Sequence, residues 1–316
     1  MKQSPHVIVV GELNVDLILN QIDGFPEVGK EKLAAEMTLT LGSSSAIFAS
    51  NLSSLGTKVT FLGKIGQDSF GDLVIESLTN SRVMTDLIIR DSALKTGATI
   101  VLNYDNDRAM VTHAGAMEKL SINDLPKDKL AKADHLHFSS FFLQPEIRKD
   151  ISKMFAMAKS LGLSTSLDTQ WDPEEKWEID LKNVLPNVDV FLPNRQELLH
   201  LTGTATLEDA YQQVQSYANI VAVKMGDKGS VVFTKNSKMV KEAFLNKQVV
   251  DAIGAGDSFN AGFIHKYISG ASLEACQTFG NLIGAVSTTA AGGTTAFKDY
   301  DTVMRTAKEK FDYTVS

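Results

Sequence analysis

From residue 118 onward the chain alternates short apolar runs with longer amphipathic segments, and this alternation constrains the fold most. The short runs have the length of strands and the longer segments have the length of helices. Such a pattern predicts parallel strands joined by crossover helices, which form a doubly wound, mainly parallel α/β sheet flanked by helices. The candidate strands are 134–139, 163–168, 188–192, 219–224 and 230–234. The candidate helices are 145–161, 194–201, 206–217, 257–269, 272–290 and 299–311.

The first half of the chain supplies one more buried strand and the strands of a smaller sheet. The run from His6 to Val10 ends at a glycine, as opening strands of parallel sheets commonly do. Segments within about 12–41 and 96–113 alternate polar and apolar residues, which predicts strands with one exposed face. We expect these strands to form a small β-sheet lid, with a turn at 105–107. The segments between them are predicted as helices at 46–55 and 68–78 and a strand at 57–66.

Composition and charge argue against several classes of protein. The formal net charge is −7 without a dense run of Lys and Arg, so we expect neither nucleic acid nor an acidic membrane as a partner. The single cysteine, Cys276, cannot form a disulfide within the chain. The first apolar run ends at Glu12 and is too short for a signal peptide or a membrane span. We therefore expect a cytoplasmic protein that forms a single domain over 1–316, because no long linker divides it.

A glycine-containing loop before a helix is the most informative local motif. The loop is Gly254-Ala255-Gly256, and Asp257 follows it at the predicted start of the helix. The N–H groups of such a loop can approach an anion closely, and the helix dipole adds its positive end. Asp257 has two interpretations: it caps its own helix, or it takes the proton from a hydroxyl group that attacks phosphorus.

Further motifs occur in a recognisable order along most of the chain. The two main motifs are 251–257 and 42–56, and the supporting motifs are 63–71, Gly115-Ala116, 193–197 and 226–229. In order and spacing they resemble the signatures of the ribokinase/PfkB family of sugar and nucleoside kinases. The resemblance implies a ribokinase-like fold and ATP-dependent transfer of a phosphoryl group.

The resemblance also implies roles for the glycine-containing loop and its neighbours. By position, Asp257 would be the general base that activates a sugar hydroxyl. The N–H groups of Gly254, Ala255 and Gly256 would form an anion hole for charge on the γ-phosphate. The positions that match a monovalent-cation site, in which K⁺ would bind, are Asp251 and the carbonyl of Ile253.

On the nucleotide side, Asn194 and Glu197 match an Asn-x-x-Glu element that organises Mg²⁺ through its waters. The alternative is that the two residues form a capping box at a helix start. The 226–229 segment either follows the nucleotide phosphates or is a plain hairpin turn. The other residues that the resemblance assigns to the nucleotide are Lys224, Gly226, Gly229 and, at the edge of the adenine pocket, Asn281.

The lid and the 42–56 motif supply the residues that the resemblance assigns to the sugar. Asn14 and Asp16 match lid residues that hydrogen-bond sugar hydroxyls, and Gly42 matches the first glycine of the signature. Arg108 either contacts a substrate carboxylate or phosphate, or is an exposed turn arginine. Many family members carry a second glycine and a later Asn in this motif. This chain lacks both at the matching positions, and their absence argues against ribose as the default substrate. The residues at these departures are Ser43, Ser44 and Ile47, and the two serines are also candidate substrate contacts.

These observations together predict an ATP-dependent, Mg²⁺-requiring kinase that phosphorylates a hydroxyl group of a sugar or sugar-like substrate. Two alternatives stay open: a nucleoside kinase on the same fold, and a catalytically silent regulator that binds sugar or nucleotide. The family further implies a homodimer through the lid, with the apolar faces of 13–19 and 98–102 as the surface. The identity of the sugar and the hydroxyl that is phosphorylated stay open at this point.

Overall fold

The computed structural model describes residues 5–104 and 107–314, which form two sheets and eleven helices. The strands are β1 His6–Val10, β2 Asn14–Ile22, β3 Ala34–Leu41, β4 Lys58–Gly66, β5 Met84–Asp91, β6 Gly97–Tyr104, β7 Asp107–His113, β8 His135–Ser139, β9 Ser164–Asp168, β10 Val190–Phe191, β11 Ile220–Lys224, β12 Ser230–Thr234 and β13 Ser237–Lys241. The helices are α1 Ser44–Ser54, α2 Ser69–Asn80, α3 Lys127–Leu130, α4 Pro145–Arg148, α5 Ile151–Ser160, α6 Leu181–Val184, α7 Arg195–Thr202, α8 Leu207–Val214, α9 Ala255–Ile268, α10 Leu273–Ser287 and α11 Tyr300–Phe311.

The larger sheet has nine strands in the order β13-β12-β11-β10-β9-β8-β1-β4-β5. Its neighbouring strands are parallel except at β12, which pairs antiparallel with β11 and with β13. The chain runs from β1 outward to β4 and β5 and then returns to β8 on the other side of β1. The strand order therefore reverses between β1 and β8, which is where open α/β sheets bind their ligands.

The side chains of β1 alternate between two apolar cores on opposite faces of the larger sheet. Val7 and Val9 pack with residues of α1, α2 and α9, whereas Ile8 and Val10 pack with residues of α5, α7 and α8. Successive side chains of a strand point to opposite faces, so an unbroken apolar run suits a sheet that is covered on both sides. This arrangement confirms the predicted doubly wound sheet. Within the described ranges, no helix is long and apolar enough to cross a membrane.

The smaller sheet contains four strands in the order β3-β2-β6-β7, and we call it the lid. Its strands lie within the two segments where the sequence predicts a small sheet, and Asp105 and Asn106 of the predicted turn lie outside the described residues. One lid face carries an apolar row across all four strands. The residues of this row, paired in register, are Leu39, Leu17, Ile100 and Val111. The opposite face carries polar residues that include Asn14 and Asp16.

Several predicted boundaries are wrong, each for a local reason. The segment 145–161 is two helices, because Asp150 adopts φ −118° and ψ 18° and ends the first helix before α5 begins. β5 and β13 were not predicted, since edge strands of this kind lack an unbroken buried apolar run. α9 begins at Ala255 rather than at 257, and α10 ends at Ser287 rather than at 290.

Candidate active site

The carboxyl ends of four strands of the larger sheet, β1, β9, β10 and β11, and the N-terminus of α9 converge near the point where the strand order reverses. Glu12 follows β1, Asp168 ends β9, Asn194 follows β10 and Lys224 ends β11. Parallel strands present their carboxyl ends at one edge of a sheet, so residues far apart in sequence meet there. Of the residues predicted for the site, this edge brings Asn194, Lys224 and Asp257 together.

Asp257 lies in the first turn of α9 and does not cap the helix. The N-cap residue is Gly254, at a left-handed φ of 71°, so the interpretation of Asp257 as the cap is wrong. Asp257 is 7% exposed, and its Oδ1 accepts a hydrogen bond of 2.9 Å from Nε2 of Gln170. Burial, followed by the nearby charge of Asp168, raises the pKa of the Asp257 carboxyl to about 8. A carboxyl with such a pKa can accept a proton near neutral pH.

Asp168 is a fully buried acid that the sequence did not single out. Its Oδ2 accepts hydrogen bonds from Nζ of Lys224 at 2.5 Å, from Nδ2 of Asn260 at 2.5 Å and from Nε2 of Gln170 at 3.0 Å. The same amide group of Gln170 reaches Asp257, so it joins the two acids. An acid at the carboxyl end of a predicted parallel strand was the one signal that could have revealed Asp168.

Lys224 supplies the positive charge of this cluster. Its Nζ pairs with Asp168, and an alanine-like Cβ at Gly256 would lie 3.7 Å from the same atom. Burial alone would lower the pKa of Lys224, but the charges of Asp168, Glu197 and Asp257 raise it above its usual value. The ammonium group therefore stays charged beside the N-terminus of α9, where an anion would bind.

The loop before α9 is held by tight packing and by a polar clamp. A Cβ at Gly254 would lie 2.8 Å from Cα of Gly293 and 3.0 Å from Cγ2 of Ile47, so this position accepts only glycine. Nδ2 of Asn51 donates to Oγ of Ser258 and to the carbonyl of Gly293, both at 2.9 Å. The loop is thus fixed against α1 and against the segment after α10.

The N–H groups of the loop differ in availability. The N–H of Ala255 donates to the carbonyl of Ala252 at 3.2 Å, so it is engaged within the loop. Gly256 and Asp257 stand in the first turn, where helix geometry leaves N–H groups without intrahelical acceptors. An anion at this point would meet these first-turn donors and the positive end of the helix dipole.

Asp251 joins the loop to the segment after α10. Its Oδ1 accepts from the N–H of Ile253 and its Oδ2 accepts from the N–H of Gly292, both at 2.9 Å. The carboxylate thus joins two backbone segments beside Asp251 and Ile253, the positions at which the sequence predicts a monovalent cation. In the part of the chain that the structure describes, no group of three His, Cys, Asp or Glu residues could by itself hold a metal ion.

A cavity of about 390 Å³ opens beside Gly256, between α9, α10 and the turn after β11. Its lining includes Lys224 and Asn281, as the sequence predicts for a nucleotide pocket. Nδ2 of Asn281 donates to the carbonyl of Glu242 at 3.0 Å, which fixes the far edge. The turn connects two antiparallel strands and also lines the cavity, so the hairpin and the nucleotide interpretations are compatible. Other lining residues are Gly226, Gly229, Phe244, Ala252, Ala255, Phe259, Gly284, Ala285 and Thr288.

Asn194 and Glu197 form a reciprocal capping box at the start of α7. Oδ1 of Asn194 accepts from the N–H of Glu197 at 2.9 Å, and Oε2 of Glu197 accepts from the N–H of Asn194 at 2.7 Å. Glu197 is 3% exposed, and burial together with the charge of Asp168 raises its pKa to about 7. The structural interpretation therefore holds, and a role with Mg²⁺ stays a prediction.

Asn14 and Asp16 meet Gly42 at the inner face of the lid. Nδ2 of Asn14 donates to Oδ1 of Asp16 at 2.9 Å and to Oγ1 of Thr99 at 3.1 Å. A Cβ at Gly42 would lie 2.3 Å from Oδ1 of Asp16, so the polar pair needs a glycine here. Arg108 stands on the same lid face. Burial raises the pKa of Asp16 to about 6, while the Asn14 hydrogen bond and the Arg108 charge act in the opposite direction.

The serines of the 42–56 motif have different surroundings. Oγ of Ser43 donates to the carbonyl of Glu12 at 2.7 Å and accepts from the N–H of Ala46 at 2.9 Å, so it is engaged as the N-cap of α1. Ser44 is partly exposed, and contact of either serine with substrate stays a prediction. Ser45 hydrogen-bonds the carboxyl of Glu12, a buried acid that sequence reasoning used only to end a strand. Burial raises the pKa of Glu12 above its usual range.

The known proteins that are similar to this chain include some described as ribokinases or other sugar kinases. The pattern described as "pfkB family carbohydrate kinase" matches residues 4–299. An uncharacterized sugar kinase of Archaeoglobus fulgidus is 30% identical over 234 residues, which cover 74% of this chain and 92% of that protein. The ribokinase of Arabidopsis thaliana is 28% identical over 321 residues, which cover 96% of this chain and 82% of that protein. The solved structure of Arabidopsis thaliana ribokinase complexed with ribose and ATP has a TM-score of 0.85 at 25% identity, covering 97% and 99% of the two chains.

These similarities agree with the motif order and with the fold. The family match extends over most of the chain, and the related solved structure superimposes on 97% of it with a TM-score of 0.85. The predicted family and fold are therefore confirmed. The chain belongs to the pfkB family of carbohydrate kinases, which are phosphotransferases with an alcohol group as acceptor.

Proposed function

We propose that the chain transfers the γ-phosphoryl group of ATP to a hydroxyl group of a sugar, with Asp257 as the general base. The observation that carries the proposal is the position of Asp257. Its carboxyl has a raised pKa and sits at the N-terminus of α9, which also borders the cavity beside Gly256. A base at this point would stand where an acceptor hydroxyl meets the end of a nucleotide.

The proposed reaction uses few protein groups. The acceptor hydroxyl gives its proton to Asp257 while its oxygen forms a bond to the γ-phosphorus. The bond between that phosphorus and the bridging oxygen breaks, and ADP leaves. Phosphoryl transfer depends mainly on positioning and on charge stabilisation, which a rigid helix N-terminus suits.

Charge on the transferring group would be stabilised from two sides. The N–H groups of Gly254, at the N-cap, and of Ala255 and Gly256, in the first turn, would form the anion hole. Gly256 is better placed than Ala255, because the N–H of Ala255 is already engaged. Lys224 would add a fixed positive charge beside them. Glu197 provides carboxylate oxygens of the hard kind that Mg²⁺ prefers, and it would hold the ion through water. Bound Mg²⁺ would neutralise phosphate charge.

The nucleotide would occupy the cavity beside Gly256. Its phosphates would approach Lys224 and the turn that contains Gly226 and Gly229, and Asn281 would border the base. Apolar side chains that include Phe244, Val249 and Phe259 line the cavity, which suits the faces of an adenine ring.

The acceptor would bind between the lid and the larger sheet. Asn14 and Asp16 offer one amide and one carboxyl group to sugar hydroxyls, and Gly42 lets the chain pass close to both. Ser43, Ser44 and Arg108 are the remaining candidate contacts. Since an acid and an amide dominate this surface, a polyhydroxylated acceptor fits it well.

We further propose that a monovalent cation such as K⁺ binds near Asp251 and the carbonyl of Ile253. The carboxylate of Asp251 already joins two backbone segments, one of which leads into the loop before α9. A cation there would add to the attraction that holds those segments together. Because Gly254 directly follows Ile253, a cation bound there would also help to fix the position of the anion hole.

We also propose a homodimer through the outer face of the lid. The apolar row that contains Leu17 and Ile100 lies on the face opposite to Asp16, and Leu39, Ile100 and Val111 in that row are exposed. An exposed apolar face of this kind suits a protein interface. Sedimentation of the wild type beside Ile100→Lys tests the proposal, since a monomeric wild type would contradict it.

The decisive experiment measures ADP release from Mg-ATP with a panel of pentoses, hexoses, keto-acids and nucleosides. Asp257→Asn is assayed beside the wild type, and Asp128→Asn, an exposed acid on α3, serves as the control. Turnover of a sugar that falls by orders of magnitude only in Asp257→Asn supports the proposal. Turnover that survives in Asp257→Asn refutes the assignment of Asp257 as the general base. Turnover of nucleosides alone, or ATP binding without any turnover, refutes the proposed activity on sugars.

A further inference from the structure

We propose that Asp168 and Gln170 are positioning residues that hold Asp257 and Lys224 in place for phosphoryl transfer. The inference rests on the proposed function, because it takes Asp257 as the base. It assigns a purpose to a buried acid and an amide that lie outside every motif found in the sequence.

The geometry makes Asp168 the hub of this arrangement. A single oxygen, Oδ2, binds Lys224, Asn260 and Gln170 within 3.0 Å. Lys224 comes from β11, Asn260 from α9 and Gln170 from the loop after β9, so three elements are tied at one atom. The ends of β11 and α9, which carry Lys224 and Asp257, are therefore fixed relative to each other.

Gln170 completes the connection. Its Nε2 lies 3.0 Å from Oδ2 of Asp168 and 2.9 Å from Oδ1 of Asp257, so it donates to both acids. The residue adopts a left-handed φ of 58°, a backbone conformation that residues other than glycine rarely adopt. The N–H of Gln170 also donates to Oδ1 of Asp168 at 3.1 Å. This unfavourable backbone conformation places the amide between the two carboxyl groups.

The two residues act on Asp257 with opposite sign. The hydrogen bond from Gln170 stabilises the carboxylate and lowers its pKa, whereas the charge of Asp168 opposes ionisation and raises it. The other charged groups that face Asp257 are Lys224, which lowers its pKa, and Glu12, which raises it. Glu197 lies one step further away, beside Asp168 and Lys224. Removal of either residue should therefore shift the pKa of Asp257, in opposite directions for the two residues.

The first test observes the carboxyl of Asp257 directly and needs no acceptor. The full chain is labelled with aspartate enriched in ¹³C at the carboxyl carbon, and its resonances are followed by NMR against pH. The Asp257 signal is assigned by its loss in Asp257→Asn. We expect Gln170→Met to raise the pKa of Asp257 by about one unit and Asp168→Asn to lower it by about one unit. No shift in Gln170→Met, or shifts of the same sign in both variants, would overturn the inference.

The variants are chosen to remove hydrogen bonds while they change the shape of the site as little as possible. Methionine is unbranched and similar in length to glutamine, so Gln170→Met removes the hydrogen bonds and keeps the shape. Gln21→Met is the matched control, because Gln21 also has a left-handed φ, 54°, but is exposed at the far end of β2. Asp168→Asn leaves Lys224 without its buried counter-ion and could fail to fold. In that case Gln170→Met and its control decide the question alone.

The second test measures kcat and KM across pH with the sugar that the panel identifies. We expect Gln170→Met to lower kcat about tenfold and to move the acidic limb of the profile upward, with KM for ATP unchanged. If Asp257→Asn keeps its activity, the proposed base is wrong and the inference falls with it. If Asp257→Asn is inactive while Gln170→Met has the wild-type profile and pKa, the inference alone is wrong.

Discussion

A methyl group at Gly42 should damage acceptor binding and leave nucleotide binding intact. The added Cβ would lie 2.3 Å from Oδ1 of Asp16 and 2.7 Å from Nδ2 of Asn14, whereas ordinary contact begins at 3.4 Å. The Asp16 carboxyl must therefore move by about 1 Å, and a misplacement of that size costs about a hundredfold in rate. A hundredfold corresponds to about 2.7 kcal/mol, similar to one lost hydrogen bond with a charged group.

The assay compares kcat/KM for the acceptor with KM for ATP in Gly42→Ala. Gly29→Ala, in the lid segment between β2 and β3, is the control for backbone strain alone, because Gly29 has a φ of 80° but a Cβ there meets nothing within 4 Å. We expect a large loss in kcat/KM for the acceptor only in Gly42→Ala, with KM for ATP unchanged in both. A folded Gly42→Ala enzyme with wild-type kcat/KM would refute the assignment of Asn14 and Asp16 to the acceptor.

Four further predictions concern the base, the lysine and the cavity. Because the pKa of Asp257 is raised to about 8, kcat/KM for the acceptor should fall with decreasing pH below about 8, and a flat profile between pH 6 and 9 would contradict this. Folded Asp257 holds its proton up to about pH 8 and unfolded Asp only to about 4, so stability falls as pH rises between these values. Asp257→Asn should therefore gain in Tm over the wild type as pH increases from 4 to 8, and a constant difference in calorimetry would argue against the raised pKa. Lys224→Met should lower kcat by about 10²–10³, as for the loss of one donor to a developing anion, whereas Lys153→Met, at an exposed ion pair, should not. Ala285→Trp should fill the cavity and raise KM for ATP without changing the pKa of Asp257, and unchanged ATP titrations would place the nucleotide elsewhere.

The fold followed from the sequence wherever the local pattern was unbroken. The run from His6 to Val10 is buried on both faces, and the alternation around Asp16 lies in a lid strand. Edge strand β13 was not predicted, because its side chains are mostly exposed and no apolar run marks it. The start of α9 was placed two residues late, since the left-handed Gly254 is the N-cap, a role that the sequence left open for Asp257.

The candidate site was only partly predictable, for a different reason. The sequence alone points to Asp257 and Asn194, which belong to motifs, and to Lys224, which lies two residues before one. Asp168 ends an ordinary strand, and its partners stand 56 and 92 residues away in the chain. Which residues meet at the strand ends depends on strand order, and no local pattern encodes that order. At Glu197 the prediction was ambiguous because a capping box and a water-mediated magnesium site use the same two side chains.

Because β2 contributes side chains to both faces of the lid, the consequence of a substitution in β2 depends on which face the residue occupies. Even-numbered positions such as Asn14 and Asp16 point toward the proposed acceptor side, and odd-numbered positions such as Leu17 belong to the outer apolar row. After gene duplication, one copy could therefore change its choice of sugar through even-numbered positions while the outer surface drifts independently. Insertion of a single residue in β2 would exchange the two sets at once, because side chains alternate along a strand. Descendants of this chain should thus vary in lid sequence far more readily than in lid length.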